Sequence, residues 1–105
     1  MSSVNTYREL KVWQKSMKFI TYIYKLTQDF PDIEKFWLTS QIRRSAVSIP
    51  SNIAEGTSRR LPKELICFLR ISISSLFELQ TQLNICKNIN LTGPNIFDHF
   101  YEDSR

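Results

Sequence analysis

Leu38, Ile42, Ala46, Ile49 and Ile53 recur three or four residues apart, which is the spacing of one buried face of a helix. Gln41, Arg44, Ser48, Asn52, Glu55 and Arg59 repeat at the same interval on another face. That second stripe is uncharged in its middle and charged at its ends. An ordinary solvated face carries mostly Lys and Glu. Ser48 and Asn52 are poor helix formers because their side chains compete for backbone groups. Pro50 removes one backbone hydrogen bond to the Ala46 carbonyl and predicts a bend. Gly56 predicts the helix end. A helix with this many poor formers has to be held by tertiary contacts. Two readings of the polar stripe stand. It is a structural hydrogen-bond network through Gln41, Ser48, Asn52, Glu55 and Glu78 at a helix or subunit contact, or it is a surface that meets a ligand or nucleic acid.

The pattern before this stretch predicts a first helix from Tyr7 to about Gln28. Leu10, Trp13, Met17, Ile20 and Tyr24 form one apolar stripe, and Val12, Phe19, Ile23, Leu26 and Phe30 form a second. Two stripes make a face wider than a two-helix seam requires. One is expected in the core and the other against a neighbouring helix or subunit. Lys11, Lys15, Lys18 and Lys25 make a basic ridge on the rest of the surface. Asp29-Phe30-Pro31-Asp32 ends the helix, since a residue before proline avoids helical geometry. The second helix is expected to start near Glu34, with Phe36, Trp37 and Leu38 plugging one end of a bundle.

After a basic connection over 57–61, Pro62 and Glu64 suit the first turn of a third helix. Leu65, Leu69, Ser72, Leu76, Leu79, Leu83 and Cys86 follow at heptad spacing. Ser72, Ser74 and Ser75 are small enough for a partner helix to approach closely. Glu78 sits at the seam's edge. The helix is expected to end around 88–90. Thr92-Gly93-Pro94 reads as a turn before a short last helix through Ile96, Phe97, Phe100 and Tyr101, which depends on packing for its stability. No repeat, low-complexity tract or long alternating strand pattern occurs. The reading is all-α.

Composition agrees with one ordered domain over 1–105. The chain is 42% hydrophobic, with 2 Gly and 4 Pro in 105 residues. No run of eighteen apolar residues predicts a membrane span, and MSSVNTYREL lacks the apolar core of a signal peptide. Cys67 and Cys86 lie about 28 Å apart along one predicted helix and cannot bridge. Free cysteines without a signal peptide predict a cytoplasmic location. Charge is uneven: residues 1–70 hold 12 basic and 6 acidic side chains, whereas 71–105 hold 2 and 4. A basic front part favours polyanionic partners.

Catalytic chemistry is poorly supplied. His99 is the one histidine, and Gly56 and Gly93 are the two glycines, so neither a zinc-type cluster nor a phosphate-binding glycine loop is present. Glu55 and Glu78 are candidates to meet in space, but carboxylates among leucine stripes are usually structural. The reading is non-enzymatic, with no cofactor or metal. The candidate nucleic-acid contacts are Lys11, Lys15, Lys18, Arg43, Arg44, Arg59, Arg60 and Lys63, which suit phosphates without reading bases. Tyr22, Tyr24 and Trp37 are placed in core or interface packing ahead of base stacking.

QIRRSAVSIPSNIAEG (41–56), Arg59, FLRISISSLFELQTQL (68–83), LKVWQKS (10–16) and the Phe30-Pro31 turn together resemble the 23S ribosomal RNA intervening-sequence protein family. Ser45 and Ser72 stand where alanine is usual and Ser74 where glycine is usual; all remain small. The resemblance implies an up-and-down four-helix bundle, here with a kinked second helix and a short fourth helix. The last segment offers about ten helix-compatible residues where the family usually has a full helix. The resemblance also implies bacterial origin, ring-shaped homo-oligomers (pentamers in relatives) and no enzymatic activity. A related branch comprises retroelement accessory proteins that bind nucleic acid and a reverse transcriptase. The leading expectation is a ring-forming bundle that holds structured RNA or DNA with little sequence specificity. The alternative is a protein–protein adaptor, accessory to a reverse transcriptase or ribosomal partner.

Overall fold

A computed structural model describes residues 7–31 and 35–89. Among them are three α-helices and no strand: α1 (Lys11–Gln28), α2 (Ser40–Thr57) and α3 (Pro62–Asn88). A 3₁₀ turn (Tyr7–Glu9) leads into α1, and a π-helical turn (Lys35–Thr39) leads into α2. The expected turn at Thr92-Gly93-Pro94, the short fourth helix and His99 lie outside the described residues, as does the side chain of Phe36.

The middle helix organises the rest. α2 packs against both neighbours, while α1 and α3 make little contact with each other. Leu38, Ile42, Ala46, Ile49 and Ile53 are all buried, as their spacing predicts. Leu79, Leu83 and Cys86 of α3 meet them from one side, and Phe19 and Ile23 of α1 from the other. Phe30 folds back under the core after α1 ends at Asp29.

α2 and α3 run antiparallel and very close. The Ser72 hydroxyl donates to the Ile49 backbone carbonyl at 2.8 Å. A side chain as short as serine reaches a neighbouring backbone only where the helix axes approach closely. The Ser75 hydroxyl donates to Ser48 Oγ at 2.8 Å. One end of the same seam is set by Gly56, where a Cβ would stand 3.0 Å from Phe68 Cβ and 3.1 Å from Leu65 Cδ1.

Two expectations are corrected, at Gly56 and at Trp37. Gly56 does not end α2; it is buried inside the helix and permits the approach of α3, and the helix stops one residue later at Thr57. Pro50 is buried inside α2, which continues through it as one element. Of the two α1 stripes the second supplies the core, with Phe19, Ile23 and Phe30 buried; Ser16 and Thr27 are buried beside them. In the first stripe Met17 and Tyr24 are exposed, and Leu10, Trp13 and Ile20 pack partly buried against the core. Ser16 and Thr27 tolerate burial because their hydroxyls donate to the carbonyls one turn back, Val12 at 2.7 Å and Ile23 at 2.8 Å. Trp37 does not plug the bundle end, being 67% exposed, although Leu38 beside it is buried.

Because α1 and α3 both lean on α2 and not on each other, an apolar groove of about 670 Å³ opens between them. Ile49 and Ile53 line it along with Phe19 on the α1 side and Leu69, Ile73 and Leu76 on the α3 side.

Gly56→Ala should destabilise the fold by up to about 2 kcal/mol in urea denaturation. Alanine's better helix propensity returns roughly 1 kcal/mol, but overpacking against Phe68 costs about 1–3. A stabilised variant would show that the seam has room to spare.

Candidate nucleic-acid interface

The predicted cations fall into three groups. Lys11, Lys15 and Lys18 are exposed on one face of α1, because spacings of four and three keep them in line. Lys11 and Lys15 border the apolar groove. Arg60 and Lys63 are exposed in the connection to α3 and in its first turn. The helices alternate in direction, so the start of α1, the end of α2 and the start of α3 share one end of the molecule. The Tyr7–Glu9 turn also packs on α2. Lys11, Lys15, Arg60 and Lys63 therefore gather there, and their side chains make no hydrogen bond or ion pair with the described residues.

Arg59 lies at the same end but is already engaged. Its Nη2 is 2.6 Å from Glu55 Oε2, and its guanidinium stacks 4.7 Å from the centre of the Phe68 ring. An exposed pair of this kind contributes only about 0.3–0.5 kcal/mol, so it steers Arg59 more than it stabilises the fold.

Arg43 and Arg44 do not join this cluster. From Arg44 to the end of α2 at Thr57 is about 20 Å of helical rise. Arg43 instead ties α2 to α1. Its Nε donates to Thr27 Oγ1 at 2.8 Å and Nη2 donates to the Tyr24 carbonyl at 3.2 Å. Its guanidinium lies 4.4 Å above the centre of the Tyr24 ring. Arg44, one residue on, is turned about 100° round the helix and is exposed.

The polar stripe of α2 divides as well. Ser48 accepts from Ser75 and from Asn52 Nδ2, the latter at 2.9 Å. The Ser45 hydroxyl donates to Glu78 Oε1 at 3.3 Å. These bonds face α3. Glu55 is not part of that network: it is exposed and pairs with Arg59. Gln41 is half-buried and makes no hydrogen bond with the network. Glu55 and Glu78 do not meet. Glu78 sits opposite Ser45, and ten residues of α2 place Glu55 about 15 Å further along. No group of three or more His, Cys, Asp or Glu side chains suited to a metal occurs among the described residues.

Sequence reasoning missed Ser16 and Thr27 as contact residues, because hydroxyls carry no apolar signal. Of the small residues Ser72, Ser74 and Ser75 expected at a close helix approach, Ser72 and Ser75 make such contacts, whereas Ser74 is exposed. Tyr24, expected in core or interface packing, is exposed, and its ring is the platform for Arg43. Tyr22 is half-buried against the core.

Arg43→Met should cost about 1–3 kcal/mol, because it leaves the Thr27 hydroxyl and the Tyr24 carbonyl without their charged donor. Arg44→Met should change stability by less than about 0.5 kcal/mol. Thermal or urea unfolding of the two variants side by side checks the contrast.

No curated protein matches the chain. The family model of the 23S rRNA-intervening sequence protein matches residues 8–105, which takes in all three helices and the connections between them. The chain is therefore a member of the 23S rRNA-intervening sequence protein family.

Proposed function

We propose that this protein is a non-enzymatic, ring-forming helical bundle that holds structured RNA or DNA against one basic end. The observation that carries the reading is the gathering of Lys11, Lys15, Arg60 and Lys63, all exposed and without acidic partners among the described residues. Lys18 extends the patch along α1. Cations without protein partners attract phosphates and release counterions on binding. Lysine and arginine side chains of this kind contact the phosphate backbone, with little base specificity. The family's name points to a ribosomal RNA context for the nucleic acid.

Assembly is the second half of the reading. Ile66, Ile73 and Phe77 are exposed on α3, Phe77 at 62%, and they extend the groove's apolar wall outward. The segment after α3, with Ile96, Phe97, Phe100 and Tyr101 at helical spacing, suits the groove as a short fourth helix that completes the bundle. The outer edge of α3 then suits a neighbouring subunit, and the ring has the pentameric count that the resemblance implies. The same apolar edge favours the runner-up, a protein–protein adaptor for a reverse transcriptase or ribosomal partner, in which the basic end only steers an acidic surface.

Fluorescence anisotropy with a structured RNA should give an affinity that falls steeply between 50 and 200 mM salt. Substituting Lys11, Lys15, Arg60 and Lys63 together with Gln should lower the slope of log K against log salt by about 0.9 per contact removed. Unchanged binding by that variant, or no retention of RNA or DNA at low salt, overturns the nucleic-acid reading in favour of the adaptor.

Light scattering should return a solution mass several times the 12.4 kDa subunit. Phe77→Asp should lower it towards one subunit, since a charge placed in an apolar contact is costly. A wild-type protein that runs as one subunit removes the ring.

A further inference from the structure

A second cavity lies about 20 Å along α2 from the basic end. It is a notch of about 610 Å³ between the C-terminal half of α1 and the first turns of α2. Small-molecule clefts span roughly 300–1,000 Å³. Among the described residues its lining includes Tyr24, Thr39, Ser40, Arg43, Arg44 and Val47, and no carboxylate.

Three observations give it a chemistry. Arg43 is held rigidly by Thr27 Oγ1, the Tyr24 carbonyl and the Tyr24 ring. Two of its five N–H groups are committed, and the others remain to donate. A guanidinium fixed in advance loses little side-chain entropy when an anion arrives. Arg44 lines the same notch, and its side chain has no partner among the described residues. Thr39 also lines it. This side chain is 3% exposed, and its buried Oγ1 has no hydrogen-bond partner. A buried hydroxyl without a partner is rare in folded proteins.

We propose that this notch binds a phosphoryl group carried by a nucleotide or by the end of a nucleic-acid strand. Two guanidiniums and the unpartnered Thr39 hydroxyl are donors, and a phosphate presents several acceptor oxygens in the geometry that arginine forks match. The Tyr24 ring and Val47 form an apolar wall for the organic part of the ligand. The lysines of α1 lack all of this; they are solvated charges on an open helix face.

The proposal does not depend on the basic end, and its test keeps the two apart. The full chain, labelled with ¹⁵N, is titrated at low salt with inorganic phosphate, AMP and adenosine. Phosphate and AMP should give saturable amide shifts at residues 39–44, and adenosine should give none. Arg44→Gln should weaken AMP binding roughly tenfold or more, as loss of a charged hydrogen bond does. Val47→Phe, which fills the notch and keeps every charge, should block AMP. The Lys11/Lys15/Arg60/Lys63→Gln variant should bind AMP as the wild type does. A 5′-phosphorylated oligonucleotide that binds more tightly than AMP and than its 5′-hydroxyl form assigns the site to strand ends; otherwise it is a free-nucleotide site. Absence of saturable shifts with phosphate and AMP, shifts confined to the basic end, or an Arg44→Gln variant that titrates like wild type would overturn the proposal.

Discussion

The close approach of α2 and α3 is the constraint from which the rest of the molecule follows. The two backbones come near enough for the Ser72 hydroxyl to reach the Ile49 carbonyl. Such an approach needs small side chains at the closest points, and Ser45, Ser48, Ser72, Ser75 and Gly56 supply them, with Leu79, Leu83 and Cys86 filling the core beside the seam. Each hydroxyl buried there has a partner, which matters because an unpaired buried hydroxyl costs about 1–3 kcal/mol. The seam therefore combines tight packing with polar satisfaction. It also explains why α2 tolerates residues that weaken isolated helices: tertiary contact, not propensity, holds it.

With α3 locked to one side of α2, α1 must find its place on the other. It does so through Phe19 and Ile23 in the core and through Arg43, which binds two positions near the end of α1. The small hydroxyl residues Ser16 and Thr27 let α1 settle close without leaving a donor unpaired. Since both outer helices address α2, they stand apart, and the apolar groove between them is the geometric remainder. Charge is pushed to the ends and rims for a familiar reason: a lone buried cation is far costlier than a buried hydroxyl. The basic end and the notch near Arg44 are thus separated by the length of the packed seam.

Much of the candidate site was legible and part of it was not. The lysine ridge follows from spacing alone, and Arg60 and Lys63 are exposed because they flank a connection. Arg43 and Arg59 looked equivalent to their neighbours in the sequence. They differ because one falls beside Tyr24 and Thr27 of another helix and the other beside Phe68 and Glu55. Adjacent arginines lie about 100° apart around a helix, so Arg43 turns inward to α1 while Arg44 stays free. No one-dimensional pattern carries that distinction, nor the juxtaposition of Thr39 with the two arginines.

Three helices, their ends near Asp29 and at Pro62, the buried stripe of α2 and most of the α3 seam were determined by the sequence by itself. They rest on periodicity and on proline stereochemistry, which are local. The family was legible too, in the same stretch that builds the seam. What only the tertiary structure decided is which small residue does what. Gly56 reads locally as a stop signal, yet it serves as a gap for Phe68. Ser16 and Thr27 fall in neither apolar stripe, yet they are buried on α1. The reason is physical: a residue's size matters only against the surface it meets, and that surface comes from a part of the chain many residues away.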